Sequence, residues 1–247
     1  MVNRKIYERG GGRGLQLESV VPWGRSMGEY VSMFGLSDED LDMRILDCGG
    51  GPASFNAEMS ASGRRVVSCD PIYQFSASDI ARRIEETYPV IISGVEAEKD
   101  RFVWTHIGSP AQLGEVRMKA MHAFLEDFDS GLTEGRYVAA GLPSLPFATG
   151  EFDLALSSHF LFLYSDQFST EFHIQSIREM LRVASEARIF PLLDMAGKPS
   201  LHLPPLLAEL KAHGYGVQVR KVGYEFQAGG DQLLRVYKQP HRNTDVR

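Results

Sequence analysis

The stretch LDCGGGPASF, residues 46–55, ends a short apolar run with Asp47, three consecutive glycines (Gly49, Gly50, Gly51) and a proline. A strand that passes into a helix through such a turn brings bare backbone N–H groups and open space to one point, where ligands bind. Asp70 closes the next apolar run, RRVVSCD, 23 residues after Asp47. That placement suits an acid accepting hydrogen bonds from ribose hydroxyls. The two features imply a nucleoside-bearing cofactor without choosing one. The dinucleotide pattern G-x-G-x-x-G, read from Gly49, needs a third glycine where this chain has Ser54. A carboxylate at Asp47 repels a pyrophosphate, but it suits a ligand carrying ammonium and sulfonium groups, reached directly or through water.

The elements that must position these residues alternate in type. MRILDC, RRVVSCD, RYVAAGL, FDLALSS and ARIFPLL are short apolar runs of the buried-strand kind. ASFNAEMSASG reads as a helix stopped by Gly63. STEFHIQSIREMLRVA repeats Ile174, Ile177, Leu181 and Ala184 at helical spacing, a face for packing on a sheet. LPPLLAELKAHG is a further helix, with prolines in its first turn and Gly214 at its stop. GVQVRKVGYEF and DQLLRVYKQ, separated by Ala228, Gly229 and Gly230, read as a terminal antiparallel hairpin. Upstream, Ser26 with Glu29 forms a capping-box signal with Gly35 as the stop, and Ser37 with Asp40 repeats it more weakly. The expected fold class is α/β: a Rossmann-like, seven-stranded, mostly parallel sheet with an antiparallel C-terminal hairpin, flanked by helices.

One stretch is too long for a simple connection. About 65 residues separate Asp70 from the third strand near Arg136, roughly twice what a βα crossover needs. SDIARRIEETY, ending before Pro89, and SPAQLGEVRMKAMHAFLEDF, capped by Ser109 and Pro110, predict an inserted helical lobe over 76–132. Residues 1–16 read as a polar, glycine-rich mobile tail, and 17–247 as one domain carrying the insertion.

Composition narrows the class. The chain has 247 residues, is 43% apolar, and carries 26 basic against 32 acidic side chains. A net charge of −6 argues against broad phosphate-backbone binding, which draws on clustered Lys and Arg. The two cysteines, Cys48 and Cys69, lack paired metal-site spacing and read as buried reduced thiols, so no metal is expected. No apolar run approaches the length of a membrane span and the N-terminus lacks an apolar leader core, so a cytoplasmic location is expected.

Read jointly, these motifs resemble the class I S-adenosylmethionine-dependent methyltransferases. ILDCGGGPA resembles the family's first motif, D-x-G-x-G, through Asp47, Gly49 and Gly51, with Ala53 where a further glycine is common. VVSCDP resembles the second motif, and LPSLPFATGEFDLALSSHFLF the stretch leading into strand four. The resemblance spans about residues 40–238 with the insertion skipped. It implies S-adenosyl-L-methionine as cofactor, held by Asp47 and Gly49–Gly51, with Asp70 on the ribose, Pro71 and Ile72 beside adenine, and Ser157 and Ser158 near the methyl. Where relatives place an adenine-binding acid this chain has Gly141 and Leu142, leaving a backbone contact at Leu142. Asp153 reads as a strand-start acid bonding local backbone.

Methyl transfer from a sulfonium is an in-line displacement that needs alignment, dryness and sometimes a proton acceptor. At the end of strand four stand Ser157, Ser158, His159 and Phe160. The motifs that the resemblance associates with base-amine or cytosine-C5 methylation are absent, which favours a small-molecule acceptor over nucleic acid. His159 is the candidate proton acceptor, with a packed or backbone-bonded histidine as the other reading; His173, Tyr164 and Asp166 are further candidates. Phe160, Phe162 and Tyr164 line either a substrate pocket or the core. Trp23 and Arg25, in PWGRS, are lid or substrate candidates, and an arginine there suits an acidic substrate. A non-catalytic cofactor-binding regulator or scaffold, and a nicotinamide oxidoreductase, are the alternatives. The acceptor and the oligomeric state are not readable.

Overall fold

In the computed structural model, residues 21–239 are described; the segment 1–16 read as a tail lies outside the described residues. Seven strands form one sheet: β1 (Ile45–Cys48), β2 (Val66–Cys69), β3 (Tyr137–Val138), β4 (Leu154–Ser158), β5 (Glu186–Phe190), β6 (Tyr215–Lys221) and β7 (Gln232–Lys238). Their order is β3-β2-β1-β4-β5-β7-β6. The first five are parallel, while β7 runs antiparallel to both β5 and β6. The expected fold class is the one observed.

The central strands are short and apolar because helices cover both faces. α6 (Thr170–Val183) and α7 (Leu203–Ala212) are packed on one face through Ile177, Met180, Leu181, Leu206 and Leu210. α6 is rotated slightly from the expected face: His173 and Ser176 are buried beside Ile177 and Leu181, while Ile174 is only partly covered. On the other face, α1 (Met27–Phe34) and α3 (Phe55–Ala61) set Tyr30, Met33, Phe34, Phe55 and Met59 against Ile45, Leu154 and Phe190. α1 has the full capping box of Ser26 and Glu29 and ends on Gly35 in the left-handed conformation. The short α2 (Asp38–Leu41) repeats the box with Ser37 and Asp40. Cys48 and Cys69 are in register on neighbouring strands, both buried and unbridged.

Between β2 and β3 lie α4 (Ala77–Ala97) and α5 (Pro110–Thr133). α5 packs Met121, Phe124 and Phe128 on Tyr73 and Tyr137, so it acts as the crossover helix of the sheet; α4 and residues 98–109 are the additional length. α4 does not end before Pro89 but runs through it for two more turns. Proline removes one helical hydrogen bond, but Pro89 and Glu85 are both exposed, so the carbonyl left without its donor faces water.

Two connections differ from expectation. Asp153 bonds backbone that is remote in sequence: the Arg44 N–H donates to it at 2.9 Å and the Arg44 side chain at 2.7 and 3.1 Å, clamping the starts of β1 and β4. This arginine holds the Asp153 carboxyl down at about 2. The hairpin turn is longer than Ala228–Gly230. Residues 222–231 form a loop that folds Tyr224 and Phe226 back toward α1.

Candidate functional site

The carboxyl ends of β1, β2 and β4 meet the glycine turn in one cavity. Gly49 and Gly51 have positive φ, +72° and +54°, which a residue with a Cβ adopts only at a cost. At Gly50 the requirement is space, since a Cβ there would collide with the Asp47 carboxylate and crowd the Tyr73 hydroxyl. Asp70 lies across the turn. It accepts from the Gly51 N–H at 3.0 Å and from the Ile72 N–H at 2.9 Å, capping the 3-10 turn at Pro71–Gln74. Tyr73 completes the frame by donating its hydroxyl to the Gly51 carbonyl at 2.8 Å. The turn is therefore held in shape by the second strand's end before any ligand arrives.

Asp47 stands apart from the cavity. Its carboxylate is 1% exposed beneath the turn, accepting from Tyr30 Oη at 3.2 and 3.3 Å and from Ser68 Oγ at 3.2 Å. Burial pushes its pKa up to about 7, against the opposing pull of the two hydroxyl bonds. Ser157 is likewise off the cavity, fully buried in β4 with its hydroxyl unpaired. The other cofactor candidates, Gly49–Gly51, Asp70, Pro71, Ile72, Gly141, Leu142 and Ser158, all line the cavity.

A strap over 21–26 closes one side. Trp23 and Arg25 both line the cavity, and the strap is stitched to the start of α3: Ser54 N–H donates to the Arg25 carbonyl at 3.1 Å. The Met27 N–H and the Ser54 hydroxyl share Glu58, at 3.1 and 2.5 Å. Gly24 permits this approach, because a Cβ there would collide with the Pro52 carbonyl. Ser54, which breaks the dinucleotide pattern, is thus the residue on which the strap is seated. Tyr164 is tied to the strap: its hydroxyl accepts from the Val21 N–H at 3.3 Å while the residue lines the wall.

A buried polar cluster backs the strap. Arg117 of α5, 0% exposed, donates to both oxygens of Glu29, at 2.6 and 2.5 Å, and Tyr224 donates to Glu29 at 2.9 Å. Among the described residues Arg25 has no such carboxylate partner. One Nη donates to the Trp23 carbonyl at 3.3 Å, and its buried Nε has no hydrogen-bond partner. Burial and the neighbouring Arg117 both lower its pKa. With Glu29 committed to Arg117, the cluster carries one net positive charge at the cavity wall.

His159 closes β4 with φ +50°, rare for a non-glycine residue. Its N–H donates to the Phe190 carbonyl at 2.6 Å, and Nδ1 lies 3.0 Å from Ser158 Oγ. Burial and the charges of Arg25 and Arg117 hold the imidazole well below its usual pKa, so it is neutral near pH 7. His173 is elsewhere: both of its ring nitrogens meet backbone carbonyls, of Ser169 at 2.8 Å and Leu161 at 2.9 Å. Asp166 is exposed, and Phe162 belongs to the core. Phe160 lines the cavity against Gly49.

The far half of the cavity is mainly apolar, with Glu98, Arg101 and Gln227 also on its wall. Ile91, Gly94 and Val95 of α4 face Phe102, Phe172 and Phe226 across it. These residues were not legible as site residues. Tyr30, Tyr73 and Glu29 also escaped, because on a helix or turn they read as core or cap positions. Among the described residues no cluster of His, Cys, Asp and Glu is placed to hold a metal ion, and no helix is long and apolar enough to cross a membrane.

Fold and site define a Rossmann-like α/β protein with a preformed glycine cradle at the carboxyl edge of its sheet. Within that class, the chain belongs to the family of the uncharacterized protein MJ0045 of Methanocaldococcus jannaschii. The two are 32% identical over 223 residues, which cover 90% of this chain and 98% of that one. No family model matches. Among solved structures, the chain is similar to the magnesium protoporphyrin IX methyltransferase of Synechocystis with bound SAM, at 13% identity and a TM-score of 0.44, covering 86% of this chain and 78% of that one. A SAM-dependent methyltransferase of Aquifex aeolicus is 14% identical with a TM-score of 0.41, over 85% of this chain and 87% of its own.

Proposed function

We propose that the chain is an S-adenosyl-L-methionine-dependent methyltransferase acting on a small organic acceptor. The observation that carries this reading is the anchored Asp70 carboxylate facing a glycine turn that is roofed by the strap and continuous with an apolar chamber. The residues fit the cofactor. Asp70 would hold the ribose hydroxyls, Pro71, Ile72 and Leu142 the adenine, and Gly49–Gly51 the amino-acid end. Asp47 acts from beneath, tying the end of β1 to α1 through Tyr30 and to β2 through Ser68. When bound, the cofactor supplies an electrophilic methyl on a sulfonium.

The protein's share is binding, orientation and exclusion of water. Ser158 and His159 stand where β4 ends at the cavity, the position from which the reacting atoms are aligned. A neutral His159 is a weak base, so its role is to hold the acceptor by a hydrogen bond more than to carry off a proton. Dinucleotide binding is disfavoured, because Ser54 and the strap occupy the side on which a pyrophosphate would need open backbone.

The test is thermal. S-adenosylmethionine, and not NAD, should raise Tm, by an amount corresponding to about 2.7 kcal/mol at a hundredfold excess over Kd. Asp70→Ala should abolish the shift. An unchanged Tm at saturating cofactor overturns the proposal. Methyl-labelled cofactor incubated with cell extract separates enzyme from non-catalytic binder: label in the small-molecule fraction supports the reading, and no transfer leaves only the regulatory alternative.

A further inference from the structure

Resting on that reading, we propose that the acceptor is an apolar, ring-bearing carboxylic acid whose carboxylate pairs with Arg25 and whose body occupies the chamber walled by α4, Phe102 and Phe226. Three observations converge on this. Arg25 is a cavity-lining guanidinium with an orphaned buried donor, and among the described residues no carboxylate pairs with it directly: Glu29 attracts it but is hydrogen-bonded by Arg117 and Tyr224. Arg25 lines the same cavity as Ser158 and His159 at the end of β4, close enough for its charge to lower the His159 pKa. The chamber beyond is lined by Ile91, Gly94, Val95 and Phe226, with Phe226 stacked on Phe102 (centroids 4.8 Å apart) and at right angles to Trp104 (5.6 Å). The polar groups that share this wall are engaged within the protein, Arg101 with Glu98 and the Met195 carbonyl and Gln227 with the Asp194 carbonyl. That surface offers a flat apolar body rings to lie against and few groups to hydrogen-bond.

Charge balance favours the carboxylate over an amine. A carboxylate oxygen forms a C–O bond to the methyl as the C–S bond breaks, and the electron pair stays on sulfur. An anion and a cation become a neutral ester and a neutral thioether, and no proton has to move. In a mainly apolar chamber such charge-annihilating transfer is favoured over the same step in water, and Arg25 holds the anion in line with the methyl. A neutral amine would instead develop positive charge next to Arg25 and would then need a base that His159 is poorly suited to be.

The experiment uses the full chain saturated with S-adenosylhomocysteine and three probes sharing one biphenyl body: 4-phenylbenzoate, its isostere 4-phenylbenzamide, and the cationic 4-phenylbenzylamine. Trp23 lines the cavity and Trp104 touches Phe226, so binding is read by tryptophan fluorescence independently of turnover. The carboxylate should bind at least about tenfold tighter than the amide, the size expected of a charge-assisted pair. Arg25→Gln should erase that preference, while Arg25→Lys keeps part of it. Val95→Trp, which fills the chamber, should abolish binding of the carboxylate probe without changing the Tm shift given by S-adenosylhomocysteine. Equal affinity for amide or amine, or a preference that survives Arg25→Gln, overturns the proposal, as does Val95→Trp binding the carboxylate probe normally. A missing Tm shift with S-adenosylhomocysteine, by contrast, would bring down the cofactor reading and leave the fluorescence result standing by itself.

Discussion

Asp47 shows how a motif residue serves a site that it does not enter. Its carboxylate is sealed by Gly50 above and by the Tyr30 and Ser68 hydroxyls at its sides, and its pKa is raised to about 7. A raised acid is protonated in the folded chain between about pH 4 and 7, where the unfolded chain has released its proton. The unfolded state then binds fewer protons, so this group's contribution to stability is greatest at low pH and declines as pH rises through 7. Asp47→Asn removes that penalty while keeping an acceptor for Tyr30. Urea unfolding at pH 4.5 to 7.5 should show the variant gaining on the parent as pH rises, by a total on the order of 3 kcal/mol. Parallel profiles would show that Asp47 is ionised in the fold. His159 belongs to the same scale: it is held in a left-handed conformation and kept neutral by its surroundings at the end of β4, where the proposed acceptor would meet it.

At the scale of elements, the strap and α4 divide the site between them. The strap is fastened to α3 through Ser54 and Glu58 and approaches Pro52 closely only because residue 24 is glycine. Gly24→Ala should lift the strap off the turn and weaken cofactor binding by about tenfold or more in calorimetry. The urea midpoint should move less than the binding does, because the strap meets the core only at its edge, through Trp23 and the neighbouring Met121. A variant that binds the cofactor normally would show that the strap is structural only. α4 has the complementary task. Its extension past Pro89 carries Ile91, Gly94 and Val95 to the cavity, and without those two turns the chamber would stand open to solvent.

At the scale of the whole molecule, elements far apart in sequence converge on one cavity: the strap, the first two strand ends, α4, the end of β4 and the 222–231 loop. Cofactor and acceptor should therefore leave separate footprints in amide hydrogen exchange. S-adenosylhomocysteine is expected to protect residues 22–26, 49–54 and 70–73, with little effect on α4. Adding 4-phenylbenzoate should extend protection to 90–97 and 222–227. Protection of all five regions by S-adenosylhomocysteine alone would show that the chamber belongs to the cofactor.

The residues that settle the fold are local signals. Short apolar runs, capped helices and a glycine turn after an acid are visible in sequence because hydrogen bonding and burial at neighbouring positions produce them. Ser26 with Glu29, Ser109 with Pro110, and the positive-φ glycines of the cradle all lie where those signals point. Seven strands, their mixed sense and the ligand edge of the sheet follow from that pattern. Tertiary packing decided the rest. It took Asp47 and Ser157 out of the cavity, because alternate strand positions face opposite layers and the crowded turn covers the acid. It carried α4 through a proline that water tolerates. It also assigned Glu29 to Arg117, leaving Arg25 without a paired carboxylate among the described residues, through contacts among residues 88 and 195 positions apart. No periodicity records such contacts, because the free energy of a buried ion pair depends on which charges meet in three dimensions.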